Sequence, residues 1–225
     1  MLTEDYLLRM INQAVAVLVK IAGLKKGGNY LEAQQAIDQA LEQLLGLRAD
    51  LIKLLDDESL LKFLTQQDHL DIDRLALIAD LFNEEGDILA AQGQISESRK
   101  SYLRSLIYYL ETGLDEEARP SIELSGKIEL LVQKPGAQVL PDDTLWVLFC
   151  YYERTGAYGK ANDALLKMAD RPHLYDSIHP ELAAFYERLL KRPASELVEG
   201  GMDRDQIEHW LEKANQNKTT NENPA

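Results

Sequence analysis

Residues 75–109 read LALIADLFNEEGDILAAQGQISESRKSYLRSLIYY, and this stretch decides the fold class. In its first half, apolar residues recur at the three- and four-residue spacing of a buried helix face, until Gly93 ends the pattern. Asp71 and Asp73 precede it and are good helix-capping residues. A second helical pattern follows over about residues 96–111. The stretch therefore predicts two helices joined by a glycine turn.

Similar turns occur elsewhere in the chain. Gly28-Asn29-Tyr30, Gly93-Gln94-Ile95 and Gly156-Ala157-Tyr158 each place a large residue two positions after glycine, and Gly113 begins a weaker fourth instance. Five and twelve positions after the three clear glycines, the residues are mostly small: Ala33, Ser98 and Ala161, then Ala40, Ser105 and Met168. Small residues at fixed offsets allow two helix backbones to approach closely. The repeated pattern predicts antiparallel helix pairs that stack on one another.

The remaining sequence is also helical in pattern. One helix is predicted over about residues 3–24, and a second begins at Tyr30. Another candidate covers 115–132, with its true start near Arg119. The remaining predicted helices cover 59–65, 142–155, 158–170, 180–191 and 203–214. Residues 134–142, which contain two prolines and a glycine, predict a subdomain boundary. No segment alternates between apolar and polar residues, so we expect an all-α protein with essentially no sheet.

Residues 75–109 resemble a tetratricopeptide repeat. Gly86 matches the family's small residue in the first helix, Gly93 the turn, Ser98 and Ser105 the small residues, and Tyr102 the aromatic residue of the second helix. The resemblance implies a tetratricopeptide-like α-α superhelix, a right-handed solenoid of antiparallel helix pairs. It would occupy residues 1–214, ahead of a disordered tail over 215–225. We also expect the chain to come from a functionally uncharacterised bacterial family.

Departures from the family pattern are equally visible. Ile21 and Phe149 stand where Gly86 fits the small-residue position. The three clear turns are 65 and 63 residues apart, about twice the family's repeat length. The resemblance covers about half of the chain, and the units between the clear turns are irregular.

The resemblance also implies a partner-binding groove lined by the first helix of each pair. Two sets of residues would lie in it: the Asp87 stripe (Asp80, Asn83, Asp87 and Ala90) and the Trp146 stripe (Asp143, Trp146, Cys150 and Glu153). We predict partner contacts by Asn83, Asp87, Trp146 and Glu153. The alternative is a solvated acidic face with Trp146 half-buried as core.

The charges predict what such a groove would accept. Some grooves of this family hold acidic C-terminal peptides in a clamp of basic residues, but Leu18, Asp143 and Val147 occupy the matching positions here. An acidic groove would instead prefer a basic or apolar protein or peptide.

Composition excludes several other roles. The net charge is −14, with 38 acidic and 24 basic residues, so we expect no nucleic-acid partner and no anionic membrane. Cys150 is the single cysteine, which rules out an intrachain disulfide and fits a reducing compartment. The start of the chain is acidic, unlike a signal peptide. We therefore expect a cytoplasmic protein.

Several residues are candidates for chemistry. Asp68, His69, Asp71 and Asp73 are metal-ligand types, but they lack the glycine and bidentate glutamate of a calcium loop, so we interpret them as helix caps. His173 and His179 lack metal-site spacing, and Cys150 lies among aromatic residues, where a buried thiol is expected. We predict no metal, no cofactor and no catalytic residue.

The first helix is apolar on more than one face, through residues such as Leu7, Leu8, Ile11, Val15 and Val19. Either a later helix covers it, or a second copy of the chain does and forms a homodimer. For function, we expect a non-enzymatic protein–protein interaction scaffold or adaptor. The alternatives are a helical regulator that senses a peptide or small ligand and, with less support, an all-helical enzyme.

Overall fold

The structure is a computed structural model, and it describes residues 2–66, 69–116, 121–134 and 139–221. These residues form twelve α-helices, one 3-10 helix and one pair of two-residue strands. The helices are α1 (Leu2–Lys26), α2 (Tyr30–Leu45), α3 (Ala49–Leu54), α4 (Asp57–Leu64), α5 (Ile72–Ala91), α6 (Ile95–Leu114), α7 (Ile122–Val132), α8 (Asp142–Arg154), α9 (Tyr158–Ala169), α10 (Tyr175–Leu190), α11 (Ala194–Glu199) and α12 (Arg204–Asn221). The 3-10 helix is Pro172–Leu174. The all-α prediction is confirmed.

Three helix pairs are joined by the same turn. Gly28, Gly93 and Gly156 have φ of 74°, 76° and 78°, a left-handed conformation that favours glycine. In each turn, the amide after the glycine donates to the carbonyl five residues earlier, at 2.9 Å. This hydrogen bond and the left-handed glycine form a Schellman cap, which ends the first helix. The predicted turns between α1 and α2, α5 and α6, and α8 and α9 are confirmed.

The small residues after these turns lie inside the helix pairs. Ala33, Ser98 and Ala161 are buried, as are Ala40, Ser105 and Met168. The α5–α6 pair is tightly packed at Gly86, where an added β-carbon would lie 2.5 Å from ring carbons of Tyr102. Ile21 and Phe149, which replace the small residue in the other two pairs, are buried as part of the core.

Two minimal strands, β1 (Thr65–Gln66) and β2 (His69–Leu70), form an antiparallel pair. The described residues contain no other strands, which agrees with the expectation of essentially no sheet. Asp56 accepts a hydrogen bond from the Ser59 amide at 2.7 Å and caps α4, and Asp71 accepts one from the Arg74 amide at 3.1 Å and caps α5. The predicted cap at the start of α5 is confirmed.

Several helix boundaries differ from the predictions. Gly113 does not end α6, which continues to Leu114, because Gly113 is not in the left-handed conformation that ends a helix at the other turns. Helix α7 begins at Ile122, with the Ser121 side chain accepting from the Leu124 amide at 3.3 Å. The predicted start near Arg119 lies outside the described residues.

Later boundaries differ as well. Helix α10 begins at Tyr175, five residues before the predicted start at Pro180, and continues through the proline although Pro180 has no amide to donate within the helix. The short helices α3 and α11 were not predicted. Helix α12 continues past Ala214 to Asn221, into the segment predicted to be disordered, since residues 215–221 contain no glycine or proline to stop it. The rest of that tail, 222–225, lies outside the described residues.

The chain divides into two compact units, residues 1–139 and 140–225. The division falls within the segment 134–142 that the sequence marks as a boundary. In the first unit, α5 packs against α6, α1 and α2, and α6 also packs against α7. In the second unit, α8 packs against α9, and α10 packs against α9 and α12. Each unit has its own buried core, with Phe82 and Tyr108 in the first and Phe149 and Phe185 in the second.

Candidate partner-binding faces

The Asp87 stripe lies along one side of α5, in the first unit, and all four of its residues are half-buried. Its two acids are occupied by the chain itself. Asp87 accepts hydrogen bonds from the Tyr102 hydroxyl at 2.7 Å, Lys25 Nζ at 2.8 Å and Lys134 Nζ at 2.5 Å. Lys25 also pairs with Glu84 at 2.7 Å. This carboxylate therefore links α1, α5, α6 and the end of α7.

Asp80 makes an equivalent set of contacts two helical turns earlier. Its carboxylate accepts from the Tyr109 hydroxyl at 2.5 Å and from Lys127 Nζ at 2.9 Å. The aspartates, tyrosines and lysines of the two sets are each seven residues apart, so one Asp–Tyr–Lys cluster is repeated along the α5–α6–α7 contact. Asn83 lies between the two aspartates on α5.

Electrostatics explain why these acids are poor contacts for an external cation. Burial would raise the pKa of Asp87, but hydrogen bonds from Lys134, Lys25 and Tyr102 outweigh it and hold that pKa below its ordinary value. The carboxylate is therefore charged at neutral pH and already neutralised by lysines. We expect a basic partner to gain little from it unless a lysine is displaced.

The Trp146 stripe lies on α8 in the second unit and differs in character. Trp146 is 40% exposed, with its ring centroid 5.3 Å from that of the buried Phe149. Cys150 is half-buried, one turn further along. Glu153 accepts hydrogen bonds from Arg188 of α10 at 2.7 and 3.0 Å, and Arg188 also donates to Glu181 at 2.8 Å. Glu153 thus joins α8 to α10, and Trp146 offers an uncovered aromatic surface.

The C-terminal end of this stripe opens into a cleft of about 710 Å³. The cleft lies between the end of α8, the Gly156 turn and α11, which approach closely because the Gly159 amide donates to the Gly200 carbonyl at 2.8 Å. Gly201 has φ of 80° and forms a fourth Schellman cap, which was not predicted from the sequence. The lining residues are Cys150, Glu153, Arg154, Thr155, Gly156, Tyr158, Arg192, Glu196, Glu199 and Gly200.

Cys150 is not activated in this cleft. Burial raises the pKa of its thiol, and the carboxylates of Glu153 and Glu181 raise it further. A nucleophilic cysteine needs a lowered pKa, because the thiolate is the reactive form. The geometry therefore favours an inert thiol at this position.

The metal-ligand candidates make ordinary structural contacts. Asp71 caps α5, and Asp68 lies outside the described residues. His173 Nε2 lies 2.6 Å from Asp142, which also pairs with Arg171, and His179 Nδ1 lies 2.9 Å from the Tyr175 carbonyl oxygen. In the part of the chain that the structure describes, no three His, Cys, Asp or Glu residues are grouped so that they could hold a metal ion.

A buried polar cluster in the first unit was not predicted. Glu85, only 5% exposed, pairs with Lys53 at 2.8 Å and accepts from the Ser101 hydroxyl at 2.8 Å. Lys53 also pairs with Asp38 at 2.7 Å, and nearby Arg104 bonds to Asp57 and to the carbonyls of Ile52 and Leu55. The sequence signal was a glutamate at a helical position between the buried Phe82 and Leu89. These contacts attach α3 and α4 to the α5–α6 pair, beside a cleft of about 500 Å³.

Among the residues that can be described, no helix has both the length and the apolar character of a membrane span. A family profile described as "Family of unknown function (DUF6483)" matches residues 1–219. The chain therefore belongs to this family, which confirms the expectation of an uncharacterised family; a bacterial origin remains a prediction. No curated protein and no solved structure matches the chain.

Proposed function

We propose that this member of a family of unknown function is a non-enzymatic, cytoplasmic interaction module that binds a segment of another protein. We further propose that its helix pairs stack as a tetratricopeptide-like superhelix. Support for the stacking comes from the three pairs with the same glycine turn and buried small residues. The raised pKa of Cys150 supports a role other than nucleophilic catalysis.

The observation that carries the binding proposal is the Trp146 stripe. Trp146 is 40% exposed on α8, and the same helix face leads through Cys150 and Glu153 into the open cleft at the end of the helix. Aromatic side chains of this kind are enriched among binding hot spots, because they bury a large area at low entropic cost. We propose Trp146 as the anchor, with Glu153 at the rim of the cleft.

The charge of the cleft limits the partner. Glu153 pairs with Arg188 and Glu196 with Arg192 at 3.7 Å, which leaves Glu199 as the lining acid to attract a basic group. An apolar side chain packed on Trp146, flanked by a basic residue near Glu199, fits this surface best. The proposed partner segment is accordingly apolar or basic. Asp87 would contribute only if the lysines bound to it exchanged for those of the partner, and Asn83, half-buried on the same helix, stays a proposed contact.

The test is a pull-down from a native lysate with the wild-type chain, Trp146→Ala and Leu166→Ala. Leu166 on α9 is 42% exposed, so it matches Trp146 in exposure at a position outside the stripe. We expect proteins identified by mass spectrometry to be retained by the wild type and by Leu166→Ala and lost with Trp146→Ala. Purified partner is then titrated against all three chains. Equal affinity for all three would remove Trp146 from the binding surface.

One observation favours the alternative of a regulator that senses a small ligand. The 710 Å³ volume of the cleft lies within the range of roughly 300–1,000 Å³ that is typical of small-molecule sites. The two functions separate in a thermal-shift screen of small peptides and metabolites. Stabilisation by a small molecule that Arg192→Ala abolishes and Trp146→Ala leaves intact would favour the sensor over the interaction module.

A further inference from the structure

Helix α1 has one side that the first unit leaves uncovered. Val15 and Val19 are 49% and 71% exposed, Ala16 is also exposed, and a β-carbon added at Gly23 would meet no atom within 4 Å. The spacing of these residues places them on one side of the helix. The other side is covered, since Ile21 is fully buried and Lys25 pairs with Glu84 and Asp87 of α5.

Helix α1 is also longer than the helix that follows it. It has 25 residues, whereas α2 has 16. At about 1.5 Å per residue, α1 spans roughly 37 Å and α2 roughly 24 Å. Because the Gly28 turn joins the end of α1 to the start of α2, α2 stops about nine residues short of the beginning of α1.

Helix α5, the other neighbour of α1, does not reach that end either. The ion pair between Lys25 and Asp87 fixes where the two helices meet, and α5 begins at Ile72, fifteen residues before Asp87. If α5 runs parallel to α1, its first residue lies level with about residue 10 of α1. If α5 runs antiparallel to α1, it covers a shorter part of α1. The backbone of residues 2–10 therefore extends past both helices, and its sequence includes Leu2, Tyr6, Leu7, Leu8 and Met10.

The charge order along α1 is self-complementary. Its acidic residues, Glu4 and Asp5, lie at the beginning, followed by one base, Arg9, and no acid follows before the end of the helix. Lys20 and Lys26, both exposed, lie in the second half. A partner helix with the opposite charge order is therefore favoured. A second copy of α1 in the antiparallel direction provides that order, and a two-fold axis forms both contacts at once.

We propose that the chain forms a homodimer in which α1 packs antiparallel against α1 of a second copy, through the side that carries Val15 and Val19. Antiparallel packing buries the uncovered valines and places the beginning of each α1 beside the second half of the other. This interface is distinct from the Trp146 stripe, which lies in the other unit. The inference does not depend on the proposed function.

The first test is sedimentation velocity over a wide range of concentrations, with the wild type, Val19→Glu and Leu31→Glu. Leu31 on α2 is 72% exposed, which matches Val19, and both variants should keep the wild-type circular dichroism. We expect a concentration-dependent dimer for the wild type and Leu31→Glu. Val19→Glu should weaken the dimer by about tenfold or more, because it buries an unpaired carboxylate.

The second test asks whether the two α1 helices pack antiparallel or parallel. Lys20→Glu alone, and Glu4→Lys with Asp5→Lys, should each weaken the dimer, and all three substitutions in one chain should restore it. A parallel pair would not be restored, because like charges would still face each other. The proposal is overturned by a monomer at every concentration, by equal behaviour of Val19→Glu and Leu31→Glu, or by failure of the triple substitution to restore the dimer. Cosedimentation of a monomer with phosphatidylglycerol vesicles would show a membrane surface instead.

Discussion

The ring of Tyr102 on α6 lies against the backbone of Gly86 on α5. A β-carbon at Gly86 would come within 2.5 Å of two ring carbons, and the Tyr102 hydroxyl is fixed by its hydrogen bond to Asp87 at 2.7 Å. The ring therefore cannot retreat without losing that hydrogen bond. This contact makes glycine, rather than any small residue, necessary in the first helix of the pair.

The first prediction follows from this contact. Gly86→Ala should gain up to about 1 kcal/mol from helix propensity but lose about 1–3 kcal/mol to overpacking, so the net change is a loss of stability. The matched control is Gly126→Ala in α7, where a β-carbon meets no atom within 4 Å. It should gain roughly 0.5–1 kcal/mol. Urea unfolding measures both changes, and stabilisation by Gly86→Ala would contradict the contact.

The second prediction separates two ways of disturbing the same helix pair. At Gly93, where an added β-carbon meets nothing, the cost of Gly93→Val comes from the left-handed φ of 76° and not from crowding. We expect a loss of about 1–2 kcal/mol or more. Gly93→Asn should cost less than Gly93→Val, since asparagine tolerates this conformation.

Ser98 tests the effect of crowding rather than of backbone conformation, because it is buried inside the helix pair with 3% of its surface exposed. Ser98→Leu should cost about 1–3 kcal/mol through overpacking. Thermal unfolding of the three variants checks both expectations. Equal losses for Gly93→Asn and Gly93→Val would show that the turn conformation is not the cause.

These residues also show what the sequence could predict. A glycine turn is a local feature: the break in helical spacing and the need for a positive φ both lie within a few residues, so Gly28, Gly93 and Gly156 could be identified before the structure was known. The pairing of Asp80 with Lys127 and of Asp87 with Lys134 depends on how α7 packs, across 47 residues of chain. Helical spacing alone could place the two aspartates on one face, and it could not show that the chain's own lysines cover them.

The third prediction concerns pH. Because the pKa of Asp87 is lowered in the folded protein, its contribution to stability is present above the ordinary carboxyl pKa and is lost as pH falls through the lowered value. Asp87→Asn should cost about 1–3 kcal/mol at neutral pH, as expected for hydrogen bonds to a charged group. The difference from the wild type should shrink toward acidic pH.

The control for this prediction is Asp50→Asn, since Asp50 pairs with Arg48 on the surface. A surface pair is screened by solvent and contributes little, so its removal should leave the free energy of unfolding nearly unchanged. Urea unfolding at a series of pH values gives both differences. A cost of Asp87→Asn that stays constant down to strongly acidic pH would show that the charge of Asp87 is not what stabilises the cluster.

The last prediction asks whether Trp146 is an anchor or part of the core. Its ring lies 5.3 Å from that of Phe149, yet it remains 40% exposed, whereas Phe149 is 2% exposed and also contacts the Phe185 ring. Phe149→Ala should therefore cost about 3–5 kcal/mol, as large-to-small core substitutions do. Trp146→Ala removes a side chain that is only partly buried and should cost about 1–2 kcal/mol, so the folded protein remains available for binding measurements. Unfolding free energies of the two variants decide the question. If Trp146→Ala costs as much as Phe149→Ala, Trp146 is a core residue, and loss of partner binding in that variant would then reflect unfolding rather than a lost contact.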